Sequence, residues 1–336
     1  MATDLTQAVD SLLAAYTGST VPGASVVVIQ NGQVVVRRAY GMADLERHIE
    51  ATPETNYRLA SVSKQFSAMA VMLLAQDGKL RYDQPIRDFL AELPPAAQPV
   101  TVRHLLNHTS GLWDYEALIP ADRTTQLNDD DVLTLVASKD SLSTPPGVAY
   151  CYSNSGYVLL GMIVARVSGM SYPEFLRTRI FGPLGMRSSV AHVEGSDTVP
   201  RRAYGYSPRS GSFIQTDQSV TSATLGDGGI YSNVDDLVLW DRALGGAGDQ
   251  LIDRASLVEA TTPPMLAGGP SEYGFGWFVD RYRGEKRWRH TGETSGFRNA
   301  ILRFPDRQLT IVILTNRSSG EPQAIAERIT DRLLFR

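Results

Sequence analysis

The chain has 336 residues, 43% of them hydrophobic and 20% charged, with a formal net charge of −4. Such a chain can build a large core, and its weak negative charge excludes a general attraction to nucleic acid or anionic membranes, leaving small molecules as the expected partners. A single cysteine, Cys151, excludes an intramolecular disulfide.

At the N-terminus Leu5, Val9, Leu12, Leu13 and Tyr16 trace an amphipathic helix. The run Met1-Ala2-Thr3-Asp4-Leu5 has neither the basic start nor the apolar core of a secretion leader, so a cytoplasmic location is expected unless such a leader has been removed. Nothing approaches a membrane span. Residues 25–30 and 33–38 are β-branched runs around Asn31-Gly32, a strong hairpin signal.

Lys64 follows Ser61 by three residues and is the only lysine with a serine at that offset, the others being Lys79, Lys139 and Lys286. Side chains three apart share a helix face, so the amine can stand beside the hydroxyl. A serine alcohol needs an adjacent base, and an exposed, protonated lysine cannot serve; burial removes that obstacle by disfavouring the ammonium. A helix is expected over 61–77, with Phe66, Met69, Ala70, Leu73 and Leu74 toward the core and Gly78 ending it. The competing reading makes Ser61 a helix cap and Lys64 a solvated first-turn residue.

Further helices are expected near 101–108, 129–139, 154–168, 171–181 and 233–244. His104 and His108 are four apart, but no third ligand accompanies them; no metal is expected, and His108 is assigned to cap contacts. Tyr152-Ser153-Asn154 precedes an apolar helix: the tyrosine hydroxyl can pass a proton and the asparagine amide can hold a substrate carbonyl. Cys151 beside them is expected to be a small buried residue. The tripeptide recurs at Tyr231-Ser232-Asn233 after a glycine-rich run, where Ser232 is expected to cap the next helix.

Strands are expected over 273–281 and 286–291, and over 299–304 and 308–315, followed by a helix from about Pro322. Neither chain end carries enough strands for a sheet of its own. An α+β fold is therefore expected, with one antiparallel β-sheet built from both chain ends, flanked by helices, and an inserted mostly helical domain. The division is 1–60 and 265–336 for the sheet domain and 61–264 for the helical domain, with the catalytic serine at the junction. His290-Thr291-Gly292 lies on a C-terminal strand, where a glycine marks close approach to the backbone and His290 can supply a titratable positive charge.

Together, Ser61-Val62-Ser63-Lys64, Tyr152-Ser153-Asn154 and His290-Thr291-Gly292 resemble the serine β-lactamase and penicillin-binding-protein superfamily. The likeness is to the branch of class C β-lactamases, β-lactamase-like carboxylesterases, D-aminopeptidases and D-alanyl-D-alanine peptidases. The segments 105–112 and 228–232 look like further family signatures, so the resemblance covers nearly the whole chain. It implies a β-lactamase/transpeptidase-like fold and no cofactor. It also implies that Ser61 is acylated, that Lys64 and Tyr152 manage its proton, and that Asn154 orients substrate. His290, Thr291 and Gly292 would border the substrate, with the backbone N–H groups of Ser61 and Glu293 forming the oxyanion hole.

Class C β-lactamases carry lysine where this chain has His290. A peptidase form of the branch places an arginine after its Tyr-Gly-x-Gly strand to grip a carboxylate, whereas Tyr273-Gly274-Phe275-Gly276 here is followed by Trp277 and Phe278, with Arg281, Arg283 and Arg289 nearby. The apolar pair points to an uncharged group. The expected function is a serine hydrolase working through an acyl-enzyme, foremost a carboxylesterase on small esters with weak β-lactam hydrolysis. The alternative is a D-amino-acid amidase or aminopeptidase, or a D-alanyl-D-alanine peptidase; a catalytically silent binding module is the third reading. Were His290 to recruit carboxylates, preference for acidic substrates would fall between about pH 6 and 8.

Overall fold

The Asn-Gly pair makes the turn that it favours. In the computed structural model, which describes residues 2–196, 198–245 and 250–335, Asn31 and Gly32 have φ of 51° and 74° and join β1 (Ala24–Gln30) to β2 (Gln33–Tyr40). Near the other chain end β3 (Phe278–Tyr282), β4 (Glu285–Thr294), β5 (Phe297–Phe304) and β6 (Leu309–Thr315) follow in succession. β6 pairs with β1, so strands from both ends make one six-stranded antiparallel sheet in the order β3-β4-β5-β6-β1-β2. β3 starts later than expected, because Tyr273 contributes only an isolated bridge to Phe278.

The two central strands, β1 and β6, are mostly apolar and buried at every position but Gln30, because both sheet faces are covered. Val26, Val28, Ile311 and Ile313 meet Leu5 and Val9 of α1 (Ala2–Leu12) and Ala326 and Ile329 of the last helix, Pro322–Leu334. Val27, Ile29, Val312 and Leu314 belong to a larger core on the opposite face.

Helices α2 (Lys64–Gln76), α3 (Val102–Leu106), α4 (Asp129–Ala137), α5 (Asn154–Ser168) and α6 (Val234–Gly245) lie in that larger half. The sequence suggested a single buried stripe on α2, yet every residue from Lys64 to Leu74 is buried, as expected for a helix with neighbours all round. The middle of the chain also holds strands that the sequence did not reveal. Tyr57–Arg58, Ile230–Ser232 and Val190–Ala191 form a small sheet, and Tyr206–Arg209 pairs with Ser212–Gln215. At two to four residues they are too short to show a period of two. Among the described residues no helix is long and apolar enough to cross a membrane.

Candidate active site

Ala60, with φ of 49°, turns the chain from the strand Tyr57–Arg58 into a 3₁₀ turn, Ala60–Ser63, that runs directly into α2. A non-glycine residue in this region stores strain that its surroundings must hold. β4 crosses the segment at Gly292 so closely that a Cβ there would lie 2.0 Å from the Leu59 carbonyl oxygen. At Gly276, whose φ is 78°, a Cβ would lie 2.8 Å from the Lys64 carbonyl oxygen. Asn299, opposite Gly292 on β5, donates from Nδ2 to the carbonyls of Arg58 at 2.8 Å and Leu59 at 3.3 Å. What passes close to Gly292 is therefore the turn that carries Ser61.

Lys64 is fully buried. Its Nζ lies 3.0 Å from Ser61 Oγ, 2.7 Å from Asn154 Oδ1 and 3.0 Å from the Asp227 carbonyl oxygen. It also stands 5.0 Å from the centre of the Tyr152 ring. The solvated first-turn reading of Lys64 is thereby overturned. Asn154 is the first residue of α5; its N–H donates to the Asp114 carboxylate at 2.6 Å, and its Nδ2 donates to Glu116 at 2.9 Å. The cap of α5 thus comes from Asp114, on a separate segment.

In the second Tyr-Ser-Asn tripeptide the cap is Asn233, one residue later than expected, accepting from the Asp236 N–H at 2.8 Å. Ser232 instead pairs with Ser189. Cys151 is exposed, contrary to expectation: its N–H is tied to the His108 carbonyl, which leaves the side chain outside the core. His104 closes a capping box with Thr101, and no group that could hold a metal is found among the described residues.

The third motif departs most from its expected chemistry. His290 is buried, and both of its ring nitrogens are engaged: Nδ1–H donates to the Thr291 carbonyl at 2.6 Å, and Nε2 accepts from the Tyr273 hydroxyl at 2.9 Å. Burial, with the Lys64 charge nearby, pushes His290 down to about 3. It is neutral at physiological pH and offers no positive charge for a carboxylate. Thr291 is half-buried and Glu293 exposed, Glu293 forming an ion pair with Arg298 across the strands.

Trp277 is buried against Trp288 with ring centres 6.3 Å apart, so the apolar pair expected at the substrate is split; Phe278 alone stacks parallel to Tyr152, at 6.4 Å. The three arginines considered as replacements are committed elsewhere. Arg281 donates to the Gly284 carbonyl, Arg283 to Asp331 and Arg289 to Asp280.

A cleft beside Ser61 is lined by Arg58, Tyr115, Glu116, Asn154, Asp227 and Glu293. Larger concavities lie between the terminal helices and beside Asp129, but neither pairs a serine with a lysine. Arg58 is spent on backbone carbonyls, donating to Ser222 at 2.8 Å. Withdrawal from water on the cleft side, reinforced by Asp114 and Asp227, pushes the Glu116 carboxyl above its usual range. Glu116, Asp227 and Asn299 escaped the sequence reading, since no spacing rule links them to Ser61.

The beta-lactamase family model matches residues 8–334. Penicillin-binding protein 4* of Bacillus subtilis (strain 168) is 31% identical over 93% of this chain and 72% of its own. A D-aminopeptidase of Cereibacter sphaeroides (strain ATCC 17029 / ATH 2.4.9) is 30% identical over 98% of this chain, which spans 63% of that relative. Among solved structures, D-amino acid amidase from Ochrobactrum anthropi SV3 superposes with a TM-score of 0.82 at 27% identity, covering 98% of this chain and 97% of that one. A family match running the length of the chain, over a buried lysine in contact with a serine hydroxyl, makes this protein a member of the beta-lactamase family of serine hydrolases.

Proposed function

We propose that the protein is an amidohydrolase that cleaves small amides or peptides bearing a free amino group beside the scissile bond, of the D-amino-acid amide type. The observation that carries this reading is the acidic wall of the cleft: Glu116 is fixed by Asn154 and flanked by Asp114 and Asp227, where a substrate ammonium would relieve the crowding of negative charge. The absence of a free cation at His290, Arg281, Arg283 and Arg289 argues against substrates gripped by a carboxylate, such as D-alanyl-D-alanine peptides and β-lactams. The similarity to a D-aminopeptidase and a D-amino acid amidase supports the same choice. Of the apolar pair on which the ester expectation rested, Trp277 is buried and Phe278 alone stacks on Tyr152.

In this mechanism Ser61 Oγ attacks the amide carbonyl while its proton passes to the Lys64–Tyr152 pair. Lys64 Nζ is held beside Ser61 Oγ by the Asn154 and Asp227 oxygens, both of which accept from it. The N–H groups of Ser61 and Glu293 stabilise the oxyanion, each worth about 2.7–4 kcal/mol. The leaving amine takes the proton, and water then cleaves the acyl-Ser61 ester with the pair again acting as base.

The test compares turnover of D-phenylalanine amide with its L-isomer and with 3-phenylpropionamide, which lacks the amine, alongside intact-mass analysis after a fluorophosphonate. A single adduct, lost in Ser61→Ala, and preference for the D-amine substrate are expected. Equal turnover of the amine-free amide would overturn the substrate class, and an unlabelled protein would overturn the acyl-enzyme.

A further inference from the structure

His108 holds both backbone amides that flank Tyr152. Its carbonyl accepts from the Cys151 N–H at 2.9 Å, and its ring Nδ1 accepts from the Ser153 N–H at 3.1 Å. Its ring lies 4.3 Å from the Tyr152 ring, centre to centre, with Tyr273 at 4.4 Å and Tyr157 at 5.0 Å closing the same box. The residue is 1% exposed and has φ of 57°, so backbone and side chain are both committed to this place.

The other ring nitrogen makes the choice of residue informative. With Nδ1 accepting, the proton of the neutral ring sits on Nε2, and that buried nitrogen has no hydrogen-bond partner among the described residues. An orphaned buried donor is costly, and a phenyl ring would fill the same box without one. Keeping an imidazole here makes sense if the accepting nitrogen is what the site needs. Burial, with the charge on Lys64 and the proximity of His290, holds the ring well below its usual range, which keeps Nδ1 free to accept.

We infer that His108 is a positioning residue for Tyr152: one side chain and one carbonyl fix the main chain on both sides of the tyrosine, and the imidazole packs against its ring at a tilt of 37°, holding that ring 5.0 Å from Lys64 Nζ. From the sequence, His108 itself is assigned only to cap contacts. This inference rests on the Ser61–Lys64–Tyr152 reading, and its test does not depend on the proposed substrate class.

The measurement is the rate constant for fluorophosphonate labelling of Ser61 by intact mass, together with kcat and KM for p-nitrophenyl acetate. Asparagine can place an amide oxygen where Nδ1 stands and tolerates the left-handed backbone, whereas glutamine carries its oxygen one methylene too far. His108→Gln and His108→Phe are expected to lower the labelling rate and kcat about 10- to 100-fold with KM within about three-fold, while His108→Asn stays within about five-fold of the wild type. In a Tyr152→Phe background His108→Gln should add no further loss, because residues acting through one group are not additive.

Wild-type labelling on Ser61 stands as the control for the catalytic reading itself. Wild-type rates in His108→Gln, equal losses in His108→Asn and His108→Gln, or losses that multiply with Tyr152→Phe would each overturn the role. Should His108→Phe fail to fold, the glutamine and asparagine pair decides, with melting temperatures measured on both.

Discussion

No spacing in the sequence links Glu116 to the reacting residues, yet its carboxylate accepts from Asn154 Nδ2 at 2.9 Å and shares the cleft with Ser61. If that carboxylate receives the substrate ammonium, Glu116→Gln should raise KM for D-phenylalanine amide about ten-fold or more and leave 3-phenylpropionamide unchanged, since a charged hydrogen bond is worth about 1.5–3 kcal/mol. Parallel changes for both substrates would remove the role. Ser61 and Lys64 were legible because helical spacing alone brings them together. The identity of His290 was legible too, but its charge was not, because burial and the Tyr273 partner come from elsewhere in the chain. The Asp227 contact to Lys64 runs through a main-chain carbonyl, which any residue type could supply.

Between elements, the contact of β4 with the turn before α2 carries the geometry of the site. A methyl group at Gly292 would sit 2.0 Å from the Leu59 oxygen, so either the strand or the turn carrying Ser61 must move. Gly292→Ala should cost about 1–3 kcal/mol in unfolding free energy and lower Ser61 labelling by at least ten-fold. Gly268→Ala, where a Cβ meets nothing within 4 Å, is the control and should change neither. Retained labelling in Gly292→Ala would show that the turn tolerates displacement. The glycine was readable as a point of close approach; its neighbour was not, because Leu59 and Gly292 are joined only by the folded chain. The hairpins and long helices were readable from turn residues and periodicity, whereas the two- and three-residue strands around Ile230 gave neither signal.

For the molecule as a whole, buried neutral histidine ties stability to pH. His290 is held at about 3 in the folded protein and titrates near 6.5 when unfolded, so between these values the unfolded chain binds a proton that the folded one does not. Its contribution is complete above about pH 6.5 and is lost as pH falls, by about 1.4 kcal/mol per unit. His108 acts in the same sense, while Asp129, pushed up to about 7 by burial, acts in the opposite one. The useful comparison is therefore between proteins: His290→Asn should flatten the fall in unfolding free energy between pH 6 and 4 by about one proton's worth. An unaltered slope would mean that the folded state admits the proton. At this scale the sheet built from both chain ends was legible, because neither end had strands enough to stand alone.

The tight crossings at Gly292 and Gly276 also bear on attempts to redirect the enzyme. They weld the turn that carries Ser61 to the sheet, so, on the proposed role of that serine, libraries that vary the backbone around residues 59–65 are expected to yield mostly inactive proteins. Diversity is better spent on the segment 113–117, which furnishes the cleft with side chains while leaving those crossings untouched.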